Sequence, residues 1–289
     1  MKKDGNQTFN TQVHHQHAWL MNTRLDIILW GVPADEAEHI SQKMISAGQN
    51  LQKVLDRFDP EAETSLVNHQ ALHRDTPVSP FMMEVLSKCM DYYKKTQGAF
   101  NVFAGQAYDA LKKRQNSEKK ISDEHPGENV IINQAKQTVR FTSEHVSLDF
   151  GGIGKGMLLD QAAEILDQKS QINAFISFGG SSVLTRGRHP HGEFWPFSFR
   201  EHGITDTWRL TDDALSISQT RTKDGTIPHI WNVSAKNIVT KSEMVCVQST
   251  SATDAEVLST ALIASPGEMK NQIISAFSIK NHKIYNLIP

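Results

Sequence analysis

The chain has 289 residues, with 30 Lys and Arg against 32 Asp and Glu and a formal net charge of −2. That length can bury a sizeable core as one large or two modest domains. The balanced charge argues against a dedicated nucleic-acid binder, which carries a clustered basic excess. No run approaches the length of an apolar membrane span, so no transmembrane helix is expected. The basic tip Lys2-Lys3 has no apolar stretch behind it and does not read as a signal peptide. Cys89 and Cys246 lie far apart among apolar neighbours, which points to two reduced thiols rather than a disulfide or a zinc site.

Residues 1–18 are polar and rich in Asn, Gln and His, and are expected to form a disordered or loosely attached tail to a single domain over 19–289. The cluster His14, His15 and His17 could take a metal adventitiously; a mobile tail with no carboxylate or Cys beside it is the alternative. The β-rich stretch 23–30 predicts a strand ended by Gly31-Val-Pro33. Apolar residues at helical spacing (Ile40, Met44, Ile45, Leu51, Leu55, Phe58) predict a long helix over 34–58, stopped by Asp59-Pro60. A second helix should run from Ser79-Pro80 to about Thr96, with Ser79 as N-cap, Pro80 at the first helical position and Gly98 closing it. Residues 112–129 mix acids with bases, lack interleaved aromatics and read as a solvated loop.

Beyond that loop, 130–133 and 138–141 predict a hairpin, 155–168, 251–264 and 267–276 predict helices, and 172–178, 194–200, 206–210, 228–233 and 243–248 predict strands. Strands outnumber helices and often follow one another, which implies an α+β fold with a largely antiparallel sheet and packed helices.

Four segments carry chemistry. Asp149-Phe-Gly-Gly-Ile-Gly-Lys-Gly156 opens a predicted helix; its backbone N–H groups, with Lys155 beside them, can hold an anion, or the segment is a plain strand-to-helix turn. Gly179-Gly180 ends an apolar strand, as happens where a ligand lies on backbone or where the chain turns tightly. Glu256 and Thr260 fall at i and i+4 of one helix, a pairing that can hold Mg²⁺ through oxygen ligands; the alternative is a helix capped by Ser251 or Thr253 with no metal. His229 is either an acid–base or phosphate-contacting group or a sheet histidine.

In order along the chain these segments resemble the ApbE-type flavin transferases, the FAD:protein FMN transferases. The matching pieces are Met21-Asn-Thr23, Ala62-Glu-Thr-Ser-Leu-Val-Asn68, Gly98-Ala-Phe-Asn101, Gly152-Ile-Gly-Lys155-Gly156 with Asp160, and Gly179-Gly180. Ser216-Ile-Ser218-Gln219, Pro228-His229-Ile-Trp-Asn232 and Ala255-Glu256-Val-Leu-Ser-Thr260-Ala261 complete the set. The resemblance covers roughly 19–265 and implies Mg²⁺-dependent transfer of FMN from FAD to a threonine hydroxyl of an acceptor flavoprotein, with release of AMP. It implies that Glu256, Thr260 and the Gly152 carbonyl hold the metal. It places Met21, Glu63, Ser65, Asn68, Lys155, Gly156, Asp160, Gly179, Gly180 and Ser218 around FAD, with His229 facing the phosphates and His229 and Glu256 serving catalysis.

The chain departs from the family pattern at Glu256, where the family has Asp, and at Asn101 and Pro228, where it has Asp and His. Ile217-Ser218-Gln219 and Asn232-Val-Ser-Ala-Lys236 replace Thr-Ser-Gly and Asp-Pro-x-Thr-Gly. These changes spare the glycines on which flavin binding rests and touch the catalytic elements. Two further readings therefore stand beside the transferase: an FAD-binding protein impaired in catalysis, and a metal-dependent FAD pyrophosphatase. A cytoplasmic location is expected, the alternative being an exported lipoprotein without its leader.

Overall fold

The computed structural model describes residues 12–105, 125–169, 172–201, 203–220, 231–232, 237–238 and 243–287. Strand β1 (His14–Leu20) folds back on β2 (Thr23–Trp30) through the two-residue turn Met21–Asn22. Helix α1 (Ala34–Leu55) follows, then α2 (Glu63–Gln70), the short β3 (Thr76–Pro77) and α3 (Pro80–Lys95). Strands β4 (Val130–Asn133) and β5 (Thr138–Phe141) form the expected hairpin, joined by β3 into a three-stranded sheet. Next come α4 (Gly154–Asp167), β6 (Asn173–Phe178), β7 (Ser182–Arg186), β8 (Trp195–Glu201), β9 (Ile204–Leu210) and β10 (Ala214–Gln219). The two-residue strands β11 (Trp231–Asn232) and β12 (Asn237–Ile238) pair with each other, ahead of β13 (Glu243–Ser249), α5 (Ala252–Ala264), α6 (Gly267–Ser275) and β14 (Asn281–Asn286).

The main sheet has seven strands in the order β1-β2-β6-β7-β10-β13-β14, every neighbouring pair antiparallel. One face is covered by α1, α4 and α5, and the large core lies between them. The opposite face carries the β8–β9 hairpin over a second, tryptophan-rich core that includes Trp30, Trp195 and Trp208. The α+β, largely antiparallel expectation is what the structure shows. Helix α5 is apolar almost all round and is the central helix, since a helix with no polar face must be covered on every side. Both cysteines are free and buried.

The loose tail expected over 1–18 is corrected at its C-terminal end. His14–Leu20 alternates half-buried and exposed side chains and pairs with β2 over its whole length. Its polar composition hides a period-two pattern that the sheet satisfies. The histidines also have carboxylates after all: His15 Nε2 lies 2.9 Å from Asp26 Oδ1 and His14 Nε2 lies 3.5 Å from Glu38. Helix α1 ends at Leu55, short of the expected Phe58, because the chain turns extended at Asp56. Of the strand expected over 228–233, Trp231–Asn232 is observed and the remainder lies outside the described residues.

Candidate functional site

The β1–β2 turn, the β6–β7 turn and the N-terminus of α4 meet at one end of the main sheet. Met21 and Asn22 both have positive φ, +49° and +58°, as a two-residue hairpin turn that follows the strand twist requires. Asn tolerates this conformation; Met21 is held there by its N–H, which donates to Gln52 Oε1 at 2.9 Å. Gly179 (φ +64°) makes the neighbouring turn, and a Cβ there would stand 2.6 Å from Thr23 Oγ1. Only glycine fits between the two turns.

Met21 overlooks a cavity of about 150 Å³. Leu55 and Phe150 supply apolar wall, Gln52 and Asp56 polar edge, and Arg57 and Lys155 positive charge. Pockets for drug-sized ligands span roughly 300–1,000 Å³, so this cavity suits one ring system of a larger ligand lying along the open surface. Arg57 pairs with Asp149 (Nε to Oδ2, 3.2 Å), whose other oxygen accepts the Gly151 N–H at 2.9 Å. The Asp149–Gly151 bond shapes the glycine-rich turn that leads into α4.

Lys155 is the centre of the polar network. Its ammonium contacts Glu256 Oε1 at 2.9 Å, Ser182 Oγ at 2.8 Å and Ser181 Oγ at 3.1 Å. Three protons meet three acceptors. Glu256 is 4% exposed; its Oε1 also accepts from Ser182 Oγ at 3.1 Å, and its Oε2 accepts the Gly156 N–H at 2.5 Å. Residue Ile153 gives α4 no side-chain cap, so Glu256, reaching across from α5, places its negative charge at the first turn of α4. Gly156 makes that approach possible: a Cβ there would lie 2.8 Å from Thr253 Cα and 2.9 Å from the Ala252 oxygen.

The residues expected around FAD separate into three groups. Met21 and Lys155 line the cavity, with Gly156, Gly179 and Gly180 in the adjoining turns. Ser218 and Thr260 meet in a hydroxyl cluster between β10 and α5, where Ser218 Oγ is 2.8 Å from Ser259 Oγ and 3.3 Å from Thr260 Oγ1. Glu63, Ser65, Asn68 and Asp160 serve scaffold contacts. Glu63 accepts from the N–H and hydroxyl of Ser79, Ser65 is buried within α2 with its carbonyl 2.7 Å from His69 Nδ1, and Asn68 bonds both backbone groups of Leu148. Asp160 caps α5. His229 lies outside the described residues, and Gly152 sits in the turn before α4.

The metal expectation meets a different donor set. Among the described residues no three His, Cys, Asp or Glu side chains converge as metal ligands. Glu256 is engaged by a cation and two further donors, Asp254 accepts from Tyr92 OH at 2.6 Å, and Asp160 is spent on the helix cap. With its one carboxylate so engaged and the Thr260 hydroxyl bonded to Ser218, the expected set of Glu256, Thr260 and the Gly152 carbonyl does not fit a resident divalent cation among the described residues. Gln52, Arg57, Ser181 and Ser182 were not picked out by spacing; the serines follow Gly179-Gly180 directly, while Gln52 and Arg57 carry no local signal.

The fold and site define an α+β protein that presents a glycine-rich helix start and a lysine beside a ring-sized cleft. The family profile described as the ApbE family matches residues 21–280, and the chain belongs to that family. An FAD:protein FMN transferase of Chlamydia pneumoniae is 23% identical over 170 residues, which cover 56% of this chain and 54% of that protein. The chain thus matches about half the length of that relative. The flavin transferase ApbE from Vibrio cholerae superposes with a TM-score of 0.78 at 18% identity, covering 95% of this chain and 96% of that one. The ApbE protein from Thermotoga maritima gives 0.76 at 19% identity, covering 88% and 87%. At such identities these structures establish the shared fold, with this chain a divergent member. Among the described residues no helix is long and apolar enough to cross a membrane.

Proposed function

We propose that this chain is an FAD:protein FMN transferase. A threonine hydroxyl of an acceptor flavoprotein attacks the FMN phosphorus of FAD. The new Thr Oγ–P bond replaces the bond to the bridging pyrophosphate oxygen, AMP departs with that oxygen, and the hydroxyl proton passes to solvent. The observation that carries the reading is the position of Lys155 at the edge of a ring-sized cleft in a chain of the ApbE family. The cleft suits one ring system of FAD, and Lys155 and Arg57 at its edge are the donors a pyrophosphate would draw away from their present carboxylate partners, Glu256 and Asp149. The resemblance adds Mg²⁺ as the cation that meets charge on the phosphates. In the arrangement above that cation has no free carboxylate, so no step is assigned to it.

The test is incubation of the purified chain with FAD and a threonine-containing acceptor protein, with Mg²⁺ or with chelator, following AMP and protein-bound flavin fluorescence. Covalent labelling with AMP release is the expected result. Free FMN with AMP would identify a pyrophosphatase instead. FAD binding with no AMP in either condition would identify the impaired flavin binder, the reading favoured by the commitment of Glu256 to Lys155 and Gly156.

A further inference from the structure

We infer that the Lys155 ammonium is the resident cation at Glu256 in this chain, and that a divalent cation binds there only by displacing it. Three observations carry this. First, Lys155 is coordinated as a bound cation would be, by Glu256 Oε1, Ser181 Oγ and Ser182 Oγ within 3.1 Å, and only a quarter of its side chain reaches solvent. Second, both Glu256 oxygens are occupied, Oε1 by Lys155 and Ser182 and Oε2 by the Gly156 N–H. A divalent ion would find a single lone pair left, on Oε2, and would face the ammonium at close range in a poorly solvated place, where like charges repel strongly.

Third, among the described residues no second carboxylate is free to raise the negative charge. Asp254 is bonded to Tyr92 and Asp149 to Arg57, so Glu256 and Lys155 already cancel. The extra methylene of Glu over Asp lets the carboxylate span from α5 to both Lys155 and the first turn of α4. The inference deepens the transferase reading, whose site it concerns. Its test leaves out FAD and acceptor, so the two can fail separately.

The experiment titrates Mn²⁺ alone, by loss of the free-ion EPR signal, into the full chain and into Lys155→Met, Glu256→Asp and the double variant Lys155→Met/Glu256→Gln. The wild-type chain is expected to bind weakly. Lys155→Met uncovers an unpaired carboxylate, and Glu256→Asp withdraws it from the ammonium. Each should tighten Mn²⁺ binding by at least about tenfold, the scale on which neighbouring groups move metal affinity. The double variant should lose that gain. Should Lys155→Met fail to fold, Glu256→Asp decides alone. Wild-type binding as tight as that of the variants, or no gain in any folded variant, overturns the inference.

Discussion

Asp160 on α4 holds the first turn of α5: its Oδ1 accepts the Ala252 N–H at 2.7 Å, and its Oδ2 accepts the Thr253 N–H at 3.1 Å and the Ser251 hydroxyl at 3.0 Å. Ser251 in turn caps the Asp254 N–H at 3.1 Å. Two amides that no intrahelical carbonyl can reach are thus satisfied by one anion at the positive end of the central helix. Asp160→Ala should cost about 1–3 kcal/mol in urea unfolding, the penalty for stranding partly buried donors. Asp160→Asn, which keeps one acceptor, should cost less. Equal stability of all three proteins would show that the cap is not holding α5.

Gly156 sets how closely α4 and α5 approach. Replacing an interior helical Gly by Ala would ordinarily stabilise by about 1 kcal/mol. Here the new Cβ meets backbone, Thr253 Cα at 2.8 Å and the Ala252 oxygen at 2.9 Å, so the helices must part rather than a side chain turn aside. The expected net effect of Gly156→Ala is a loss of about 1–3 kcal/mol, and calorimetry reads its sign directly. A rise in Tm would contradict the close approach.

Helix α3 was legible from three local signals, the Ser79 cap, Pro80 at its first position and Gly98 beyond its end, and Ser79 Oγ does accept the Met82 N–H at 3.1 Å. The hairpin β4–β5 and the helix α5 were legible in the same way. Strand β1 was not, because its half-buried alternate positions carry His14, Gln16 and Ala18 rather than large apolar side chains, so its period of two leaves no hydrophobic mark. Helix α2 leaves no such local mark: no side chain of its own caps it, and Glu63 in its first turn instead serves Ser79, sixteen positions on. At the site, glycines and Lys155 were legible because turns and charge leave local marks. The meeting of Gly156 with Glu256 spans 100 residues of chain and is written only in packing.

Asp206 ties the β8–β9 hairpin to the sheet. Its Oδ2 accepts from Lys283 Nζ at 2.6 Å and from Tyr285 OH at 2.5 Å. Burial pushes this carboxyl upward, but the bonds from Lys283, Tyr285 and the Thr207 N–H outweigh it and hold the group below its ordinary 3.8. A carboxylate depressed on folding stabilises the fold above its unfolded pKa, and that contribution fades as pH falls through the folded value. Thermal melts from neutral pH down to about pH 2 should show wild type above Asp206→Asn at neutral pH, the two converging at the acid end. A constant gap throughout would mean that the charge of Asp206 contributes nothing.

Cys89 and Cys246 sit in the two separate cores, and burial pushes each thiol up to about 12. Thiolate, the reactive form, is then scarce at neutral pH as well as shielded. Neither should react with a thiol reagent in the native chain, and both should react in denaturant. Fast native labelling of either one would mean that its core opens.

Met21 should separate stability from binding. Its φ of +49° is costly for a long side chain, about 1 kcal/mol or more, and the Gln52 bond to its N–H would survive a change of side chain. Met21→Gly therefore relieves backbone strain and should leave the melting temperature unchanged or raise it, even though glycine loses more entropy on folding. The same change strips the wall of the cavity beside Gly154, where the Met21 sulfur packs 3.3 Å from the site of a Cβ. Under the transferase reading FAD should bind the variant more weakly by roughly 1–2 kcal/mol, the loss of part of an apolar contact, as flavin fluorescence quenching would show. Weakened folding together with unchanged FAD binding would place Met21 in the hairpin alone and move the ring site elsewhere.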